Sequence, residues 1–263
     1  MNPDRTLHKS RSQSSIINHQ SSIFNPAVLP AGLGRPCIVL FSGGLDSTTV
    51  LALATKTGWR VHALTVNYGQ RHAHELDVAR RSAVLWHVTG HTELDVDLRV
   101  FGGSALTSDT AVPKHGDGHA ATGIPVTYVP ARNTVLLALA LVKAETVGAA
   151  DIMLGVNAVD YSGYPDCRPE FVRAFESLAN LATKAGVEGT ARFRIHAPLI
   201  EMSKRQIIEL GVSLGVDYAA TSSCYDPTLD GAACGACDAC VLRLRGFADA
   251  GLADPARYAK SAP

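Results

Sequence analysis

The sequence predicts an α/β protein with a doubly wound, mostly parallel five-stranded sheet, followed by a small cysteine-containing segment. Three observations predict this fold class. From residue 37 onward, short apolar runs alternate with longer helix-like stretches, which is the pattern of a parallel sheet covered by helices on both faces. The chain has 263 residues and is 46% hydrophobic, enough for a large buried core. Near its C-terminal end, several cysteines lie close together.

Five strands and five helices are predicted from these runs. The strands are Cys37–Phe41, Val61–Asn67, Thr92–Leu98, Asp151–Val156 and Arg192–His196. The helices are Asp46–Thr57, Gln70–His87, Asn133–Val147, Pro169–Ala185 and Lys204–Leu214. The start of the last helix is the best marked, because Ser203 and Gln206 have the spacing of a capping box.

The composition divides the chain into three parts. Residues 1–36 are rich in Ser, Asn, Gln and Pro and are predicted to be a disordered tail. A transit peptide is the alternative, but no sustained amphipathic arginine face is evident. Residues 37–215 form the predicted α/β domain, and residues 216–263 form the cysteine-containing segment. Residues 99–125 have no period and indicate either an active-site lid or a disordered excursion.

The charge balance argues against a polyanionic partner. The chain has 24 basic and 24 acidic side chains, so no overall field attracts nucleic acid or an anionic membrane. The apolar run Val135–Val142 is shorter than the roughly 20 residues needed to cross a bilayer, and no secretory signal pattern is evident. We therefore expect a cytoplasmic protein with a small-molecule substrate.

A glycine-containing turn follows the first predicted strand. In Ser42–Thr49, with the sequence SGGLDSTT, Gly43 and Gly44 allow a tight turn that opens a helix. Free N–H groups at such a helix start bind phosphate oxygens. The turn has no Walker lysine and no GxGxxG pattern, which argues against γ-phosphoryl transfer and against a dinucleotide fold. A purely structural turn that caps a helix is the alternative.

The clustered cysteines have the spacing of a metal site. Cys224, Cys234, Cys237 and Cys240 form C-x9-C-x2-C-x2-C, and thiols this close converge on one ion more easily than they form unstrained disulfides. Four thiolates suit one structural zinc per chain. An iron–sulfur cluster is the competing interpretation, although Val241 stands where such runs usually have proline.

Other candidates have a functional and a structural interpretation. Arg132, before a predicted helix, could neutralise phosphates through its planar guanidinium or point into solvent, with Asn133 capping the helix. Arg71 follows the second strand, at the edge where open α/β sheets bind ligands. Cys37 is predicted to be inert core. Cys167 is either a pocket wall or, as an alternative, a nucleophile.

Several segments carry a resemblance to known proteins. The turn Ser42–Thr49 resembles the PP-loop of the adenine-nucleotide α-hydrolase-like superfamily, whose members cleave ATP to AMP and pyrophosphate. In the same order along the chain, Tyr68–His72, Tyr128–Asn133, Gly155–Arg168 and the cysteine cluster resemble the 7-cyano-7-deazaguanine synthase family of queuosine biosynthesis. The resemblance covers almost all of residues 37–258.

The resemblance implies an ATP-dependent carbon–nitrogen ligase. Such an enzyme converts 7-carboxy-7-deazaguanine and ammonia into the nitrile through an acyl-adenylate, with ATP and Mg²⁺ as cosubstrate, a structural zinc and a homodimeric assembly. One rival is a tRNA-thiolating or other PP-loop enzyme that adenylates a nucleobase. Another is a regulator that binds nucleotide without turnover. Zero net charge and the lack of a basic RNA-binding module favour the ligase.

The resemblance also assigns roles to residues. The catalytic residues it implies are Ser42, Asp46, Ser47, Arg132 and Lys204. The ATP-binding residues it implies are Phe41, Ser42, Gly43, Gly44, Leu45, Asp46, Ser47, Thr48, Arg71 and Arg132. The residues expected to contact the deazapurine acid are Asp160, Tyr161, Asp166, Arg168 and Glu170. A solvated loop is the structural alternative for this last group, and a surface charge is the alternative for Lys204.

Overall fold

The computed structural model of the chain describes residues 29–69, 74–114, 123–159 and 163–259. The predicted tail falls mostly on residues 1–28, and the predicted site residues Arg71, Asp160 and Tyr161 also lie outside the described ranges. No helix within these ranges is long and apolar enough to span a lipid bilayer.

Five strands form one parallel sheet. They are β1 (Pro36–Leu40), β2 (Arg60–Asn67), β3 (Gly90–Asp95), β4 (Asp151–Met153) and β5 (Arg194–His196). Their order is β3-β2-β1-β4-β5, and each neighbouring pair is parallel. The predicted fold class is confirmed. Because the strand order reverses between β1 and β4, their carboxyl ends border the crevice where open α/β sheets bind ligands.

Seven α-helices are found among the described residues. They are α1 (Leu45–Lys56), α2 (His74–Leu85), α3 (Arg132–Val147), α4 (Pro169–Ala182), α5 (Lys184–Val187), α6 (Lys204–Leu214) and α7 (Asp238–Asp249). The fourth predicted helix ends early because Thr183 is extended and its side chain caps α5 through Gly186 N. The capping box of Ser203 and Gln206 is present at the start of α6. Helix α7 is not among the predicted elements.

Helices cover both faces of the sheet. In β1, Cys37 and Val39 face a core formed with α1, α2, α6 and α7, whereas Ile38 and Leu40 face a second core formed with α3 and α4. The alternation follows from the two-residue period of a strand. A third apolar cluster contains Leu98, Leu106 and Val112 and packs beside the cysteines. The described part of the predicted lid is therefore packed on the C-terminal segment.

Tyr218 links the first helix to the last. Its hydroxyl lies 2.8 Å from Thr49 Oγ1 and donates to the Ile207 carbonyl at 3.1 Å. Its ring meets that of Phe247 edge to face, with centroids 5.6 Å apart. Gly211 leaves the space for this tyrosine, because a Cβ at position 211 would collide with the Tyr218 hydroxyl. The start of α1 is thus held against α6 and α7.

We expect Gly211→Ala to lower the free energy of unfolding by about 1–3 kcal/mol, because overpacking outweighs the better helix propensity of alanine. Chemical denaturation followed by circular dichroism measures this change. Ser213→Ala on the same helix is the control and should change stability by less than about 0.5 kcal/mol. A stabilised Gly211→Ala variant would contradict the packing described for Tyr218.

Candidate active site and metal centre

A cleft of about 230 Å³ opens at the carboxyl ends of β1 and β4. Its walls come from the turn after β1, the ends of β2 and β4, the start of α3 and the segment 222–225. This is the crevice expected from the strand order. The cleft brings together seven predicted site residues, namely Phe41, Ser42, Gly44, Leu45, Asp46, Ser47 and Arg132.

The turn after β1 is shaped by glycine and by serine hydroxyls. Gly43 has φ 79°, in the left-handed region that favours glycine. Ser42 Oγ lies 3.1 Å from Ser47 Oγ and accepts from Gly44 N at 3.3 Å, and Ser47 Oγ donates to the Gly44 carbonyl at 3.2 Å. Gly44 is the N-cap of α1 and offers no side chain to its N–H groups. The first turn of α1 is therefore suited to binding an anion.

Two other segments lie against this turn. A Cβ at Gly155, just after β4, would lie 3.0 Å from Ser47 N and 3.1 Å from the Asp46 carbonyl carbon. On another side, Ser222 N donates to the Gly43 carbonyl at 3.1 Å. The turn is thus enclosed by backbone, and its conformation is set by contacts from distant parts of the chain.

Lys204 is held against the phosphate loop by a buried ion pair. Its Nζ lies 2.7 Å and 2.9 Å from the two carboxylate oxygens of Asp46. The side chains of Lys204 and Asp46 are only 8% and 19% exposed. The lysine stem packs on α7 at Gly246, where a Cβ would collide with Lys204 Cγ. Since Asp46 lines the cleft, Lys204 reaches the site through this carboxylate.

Arg132, the first residue of α3, also lines the cleft. Ala131 before it has φ 53°, and the Ala131 N–H donates to the Tyr128 hydroxyl at 3.0 Å. This local geometry aims Arg132 at Tyr68, whose hydroxyl accepts from Arg132 Nη1 at 3.3 Å. The guanidinium also lies 5.5 Å from the Tyr68 ring centroid. A positive charge therefore borders the cleft at a defined position.

Asp166 holds the start of α3 through hydrogen bonds with Asn133. Its Oδ2 accepts from Asn133 N at 3.0 Å, and Asn133 Nδ2 donates to the Asp166 carbonyl at 3.0 Å and to Cys167 Sγ at 3.5 Å. Asp166 is buried and is not part of the cleft wall. Cys167 does line the cleft. Burial, and then the nearby Asp166 carboxylate, raise the pKa of the Cys167 thiol to about 12, so the group is neutral near pH 7.

The remaining predicted residues lie elsewhere. Arg168 and Glu170 are exposed, and Glu170 pairs with Arg173 at 3.2 Å. Thr48 is buried in α1, and its Oγ1 has no hydrogen-bond partner among the described residues. Sequence reasoning singled out no role for Tyr68, although it lies in a segment that carries the resemblance.

The segment 222–225 also belongs to the cleft and was not predicted. Ser222, Ser223 and Tyr225 line the cleft, and the Ser223 hydroxyl accepts from Leu45 N at 3.3 Å. Only their position beside Cys224 marked them in the sequence. Ser223 and Leu45 are 178 positions apart, more than half of the chain length. Local sequence patterns do not encode a contact between residues so far apart.

The four clustered cysteines meet as predicted. One sulfur from each of Cys224, Cys234, Cys237 and Cys240 lies within 4.8 Å of all the others, and all four are free thiols. The sulfurs of Cys224 and Cys237 are 3.9 Å apart, close to the edge of about 3.8 Å that a tetrahedron with metal–sulfur bonds of about 2.3 Å requires. The donor set fits a metal ion with four thiolate ligands.

Backbone N–H groups point at these sulfurs. Cys224 Sγ accepts from Asp226 N at 3.3 Å and from Cys234 N at 3.2 Å, and Cys234 Sγ accepts from Cys237 N at 3.3 Å. Hydrogen bonds from Cys224 and Cys240 lower the pKa of the Cys237 thiol. The same sulfur–sulfur hydrogen bonds raise the pKa of the Cys224 and Cys240 thiols. The backbone N–H groups are therefore the contacts that favour the thiolate form that binds metals.

Comparison with known proteins places the chain among biosynthetic enzymes. The family model described as queuosine biosynthesis protein QueC matches residues 36–251. A protein of Paramagnetospirillum magneticum named 7-cyano-7-deazaguanine synthase is 65% identical over 226 residues, which are 86% of this chain and 99% of that protein. A protein of the same name from Geobacter metallireducens is 61% identical over 225 residues, 86% of this chain and 94% of that protein.

Solved structures show a weaker likeness. NMN synthetase from Francisella tularensis matches with a TM-score of 0.41 and 19% identity, over 74% of this chain and 68% of that one. A likeness of this size supports no conclusion about fold or function.

We expect Cys240→Ser to remove the bound metal, because the site then lacks one thiolate. Elemental analysis of the purified protein should fall from about one metal ion per chain to below about 0.1, with a lower melting temperature. Cys37→Ala is the matched control. Cys37 is buried in the apolar core around α1, whereas Cys240 belongs to a different apolar cluster. Full metal content in Cys240→Ser would contradict the assignment of Cys240 as a ligand.

We expect Cys167 to resist alkylation in the folded protein. A pKa raised to about 12 reduces the thiolate fraction at pH 8 by roughly a thousandfold relative to an ordinary thiol. Its iodoacetamide labelling, followed by peptide mass spectrometry, should therefore keep rising up to pH 10. The denatured protein provides the control, with a plateau above about pH 9. Half-maximal labelling near pH 7 in the folded state would instead identify Cys167 as an activated nucleophile.

Proposed function

The chain belongs to the family of the queuosine biosynthesis protein QueC, and from this membership we propose that it is an ATP-dependent carbon–nitrogen ligase. Its proposed reaction converts 7-carboxy-7-deazaguanine and ammonia into 7-cyano-7-deazaguanine. The family is the one that the sequence motifs predicted. The named relatives favour this activity over tRNA thiolation, since both carry the name 7-cyano-7-deazaguanine synthase.

One structural observation supports the proposal in addition to family membership. The turn SGGLDS opens α1 at the carboxyl end of β1, and it borders a cleft that Arg132 also lines. A helix start with free N–H groups binds phosphate, and a guanidinium stabilises phosphate charge. The absence of a lysine from the turn itself fits cleavage between the α- and β-phosphates rather than γ-phosphoryl transfer.

The chemistry explains why ATP is needed. A free carboxylate resists attack by ammonia because the leaving group would be oxide. Adenylation converts this oxygen into part of AMP, a much better leaving group, and pyrophosphate departs in that step. Attack by ammonia on the acyl-adenylate then gives the amide. We propose a second adenylation, on the amide oxygen, for the dehydration to the nitrile.

The loop residues share the binding of the departing pyrophosphate. The proposed donors are the N–H groups at the start of α1 and the hydroxyls of Ser42 and Ser47, which would rotate away from their bonds within the turn when the nucleotide binds. Arg132, which also lines the cleft, supplies positive charge. Preorganised donors of this kind typically contribute several kcal/mol to transition-state stabilisation. Lys204 has a positioning role, because its ammonium is bonded to both oxygens of Asp46.

Asp46 is also the proposed contact for the magnesium ion of the cosubstrate. Carboxylate oxygens are preferred ligands of Mg²⁺, and each oxygen of Asp46 keeps a second lone pair beside its bond to Lys204. The ion would neutralise charge on the phosphates when ATP is bound. The ligand that this chain would contribute is the Asp46 carboxylate, which Lys204 holds in position.

The deazapurine acid has its proposed position beside Tyr68, Cys167 and Tyr225, which line the cleft. Asp160 and Tyr161 stay proposed substrate contacts because they follow Asn157 of the cleft wall by a few positions. Asp166 has the indirect role of holding Asn133 at the start of α3. The exposed Arg168 and Glu170 lie outside the cleft wall, so we assign them no direct contact.

The proposal also covers the metal, the division of the chain, the assembly and the location. Zinc is the proposed ion of the cysteine centre, because four thiolates complete its tetrahedral shell. Residues 37–215 are the proposed ATP-binding α/β domain, and residues 216–263 are the proposed metal-binding segment, which also contributes Ser222, Ser223 and Tyr225 to the cleft wall. A homodimeric assembly is proposed from the family resemblance, and a cytoplasmic location is proposed from the sequence pattern.

The proposed reaction predicts its products. With ATP, Mg²⁺, ammonium and the deazapurine acid, we expect AMP and pyrophosphate, with about two AMP per nitrile because carboxylate and amide are each adenylated. Ser42→Ala and Asp46→Ala should each lower kcat/KM by about 100-fold or more, since both act at the leaving phosphates. Coupled chromatography of nucleotides and deazapurines measures both quantities.

Ser177→Ala, on the exposed part of α4, is the control and should retain normal turnover. An AMP-to-nitrile ratio near one would end the two-adenylation scheme. Accumulation of ADP in place of AMP would contradict the proposed reaction itself.

A further inference from the structure

Ser223 brings a hydroxyl from the cysteine segment to the start of the first helix. Its Oγ accepts a hydrogen bond from Leu45 N at 3.3 Å, and both residues line the cleft. Leu45 is the first residue of α1. Its N–H belongs to the donors at this helix start that have no partner within the helix. A residue 178 positions away in sequence thus supplies the side-chain acceptor that Gly44, the N-cap, lacks.

The Ser223 hydroxyl can donate a hydrogen bond in addition to the one that it accepts. A serine hydroxyl accepts through its lone pairs and donates one hydrogen, which rotates to suit its neighbours. The bond from Leu45 N occupies a lone pair only. Within residues 29–69, 74–114, 123–159 and 163–259, no acceptor is found for the Ser223 O–H itself. An anion at the start of α1 can therefore receive this hydrogen bond without loss of the contact to Leu45.

The position of Ser223 is fixed by the residues on either side of it. Before it, Ser222 N donates to the Gly43 carbonyl at 3.1 Å. After it, Cys224 is buried in the metal centre, where its sulfur accepts from Cys234 N. One residue earlier, the hydroxyl of Thr221 accepts from the buried Arg243 guanidinium at 2.7 Å. The hydroxyl is therefore held at the phosphate loop at little further cost in conformational entropy.

We propose that Ser223 is a pyrophosphate-binding residue, which donates its hydroxyl hydrogen to a non-bridging oxygen of the departing pyrophosphate. This proposal rests on the proposed function, because that function identifies the anion as pyrophosphate. The phosphate site is then assembled from two distant parts of the chain, with the loop supplying backbone N–H groups and the cysteine segment supplying one oriented hydroxyl. No bond is made or broken by Ser223.

Calorimetric titration with inorganic pyrophosphate and Mg²⁺ tests the proposal on full-length protein. Ser223→Ala should weaken pyrophosphate binding by about tenfold or more, as expected for a lost hydrogen bond to a charged group. Ser223→Thr keeps the hydroxyl and should restore binding to within about threefold of wild type. Adenosine, titrated separately, should bind all variants equally. Ser177→Ala is the matched serine control. Metal content and melting temperature establish that each variant is folded.

The outcomes separate the two proposals. If wild type binds pyrophosphate and Ser223→Ala binds it equally well, the role of Ser223 is refuted and the proposed function stands. Failure of Ser223→Thr to restore binding also refutes the role of the hydroxyl, as does an equal loss of adenosine affinity, which indicates a distorted loop. If wild type itself binds no pyrophosphate, the pyrophosphate site fails together with the proposed function.

Discussion

The close approach of backbone to backbone around residues 42–47 is the constraint on which the rest of the site depends. Gly43 adopts a left-handed conformation, and Gly155 lies so near Ser47 N that a side chain there would press on the loop. Without side chains at these points, the turn leaves the N–H groups of α1 facing the cleft. The strand order places this turn at the reversal between β1 and β4, where both walls of the cleft begin.

The C-terminal segment supports the same loop by two independent routes. Ser222 and Ser223 bond directly to Gly43 and Leu45. Helix α7 acts through Gly246, which lets it pack on the stem of Lys204 while the ammonium holds Asp46. A metal at the cysteines would stabilise both routes, because Cys224 follows Ser223 and Cys237 directly precedes α7. The metal centre thus has a structural connection to the cleft, although its sulfurs contribute nothing to the cleft wall.

The sequence predicted the features that are encoded locally. Alternating apolar runs predicted all five strands, and the glycines of the turn predicted the loop at Gly43. The spacing of the clustered cysteines predicted that the sulfurs of Cys224 and Cys240 lie close together. Helix α7 was missed because Cys240 and Gly246 interrupt the apolar period by which helices are recognised. The contact of Ser223 with Leu45 and the turn of Asp166 towards Asn133 depend on tertiary packing, which a single sequence does not reveal.

In the proposed reaction, the turn after β1 holds the pyrophosphate of a nucleotide. Amide-resolved NMR of the full-length protein, titrated with inorganic pyrophosphate and Mg²⁺, tests it most directly. We expect the largest shifts on the amides of residues 43–47, smaller ones near Arg132 and Ser223, and none along the exposed face of α4. Shifts confined to other surfaces, with the amides of residues 43–47 unmoved at saturation, would contradict it.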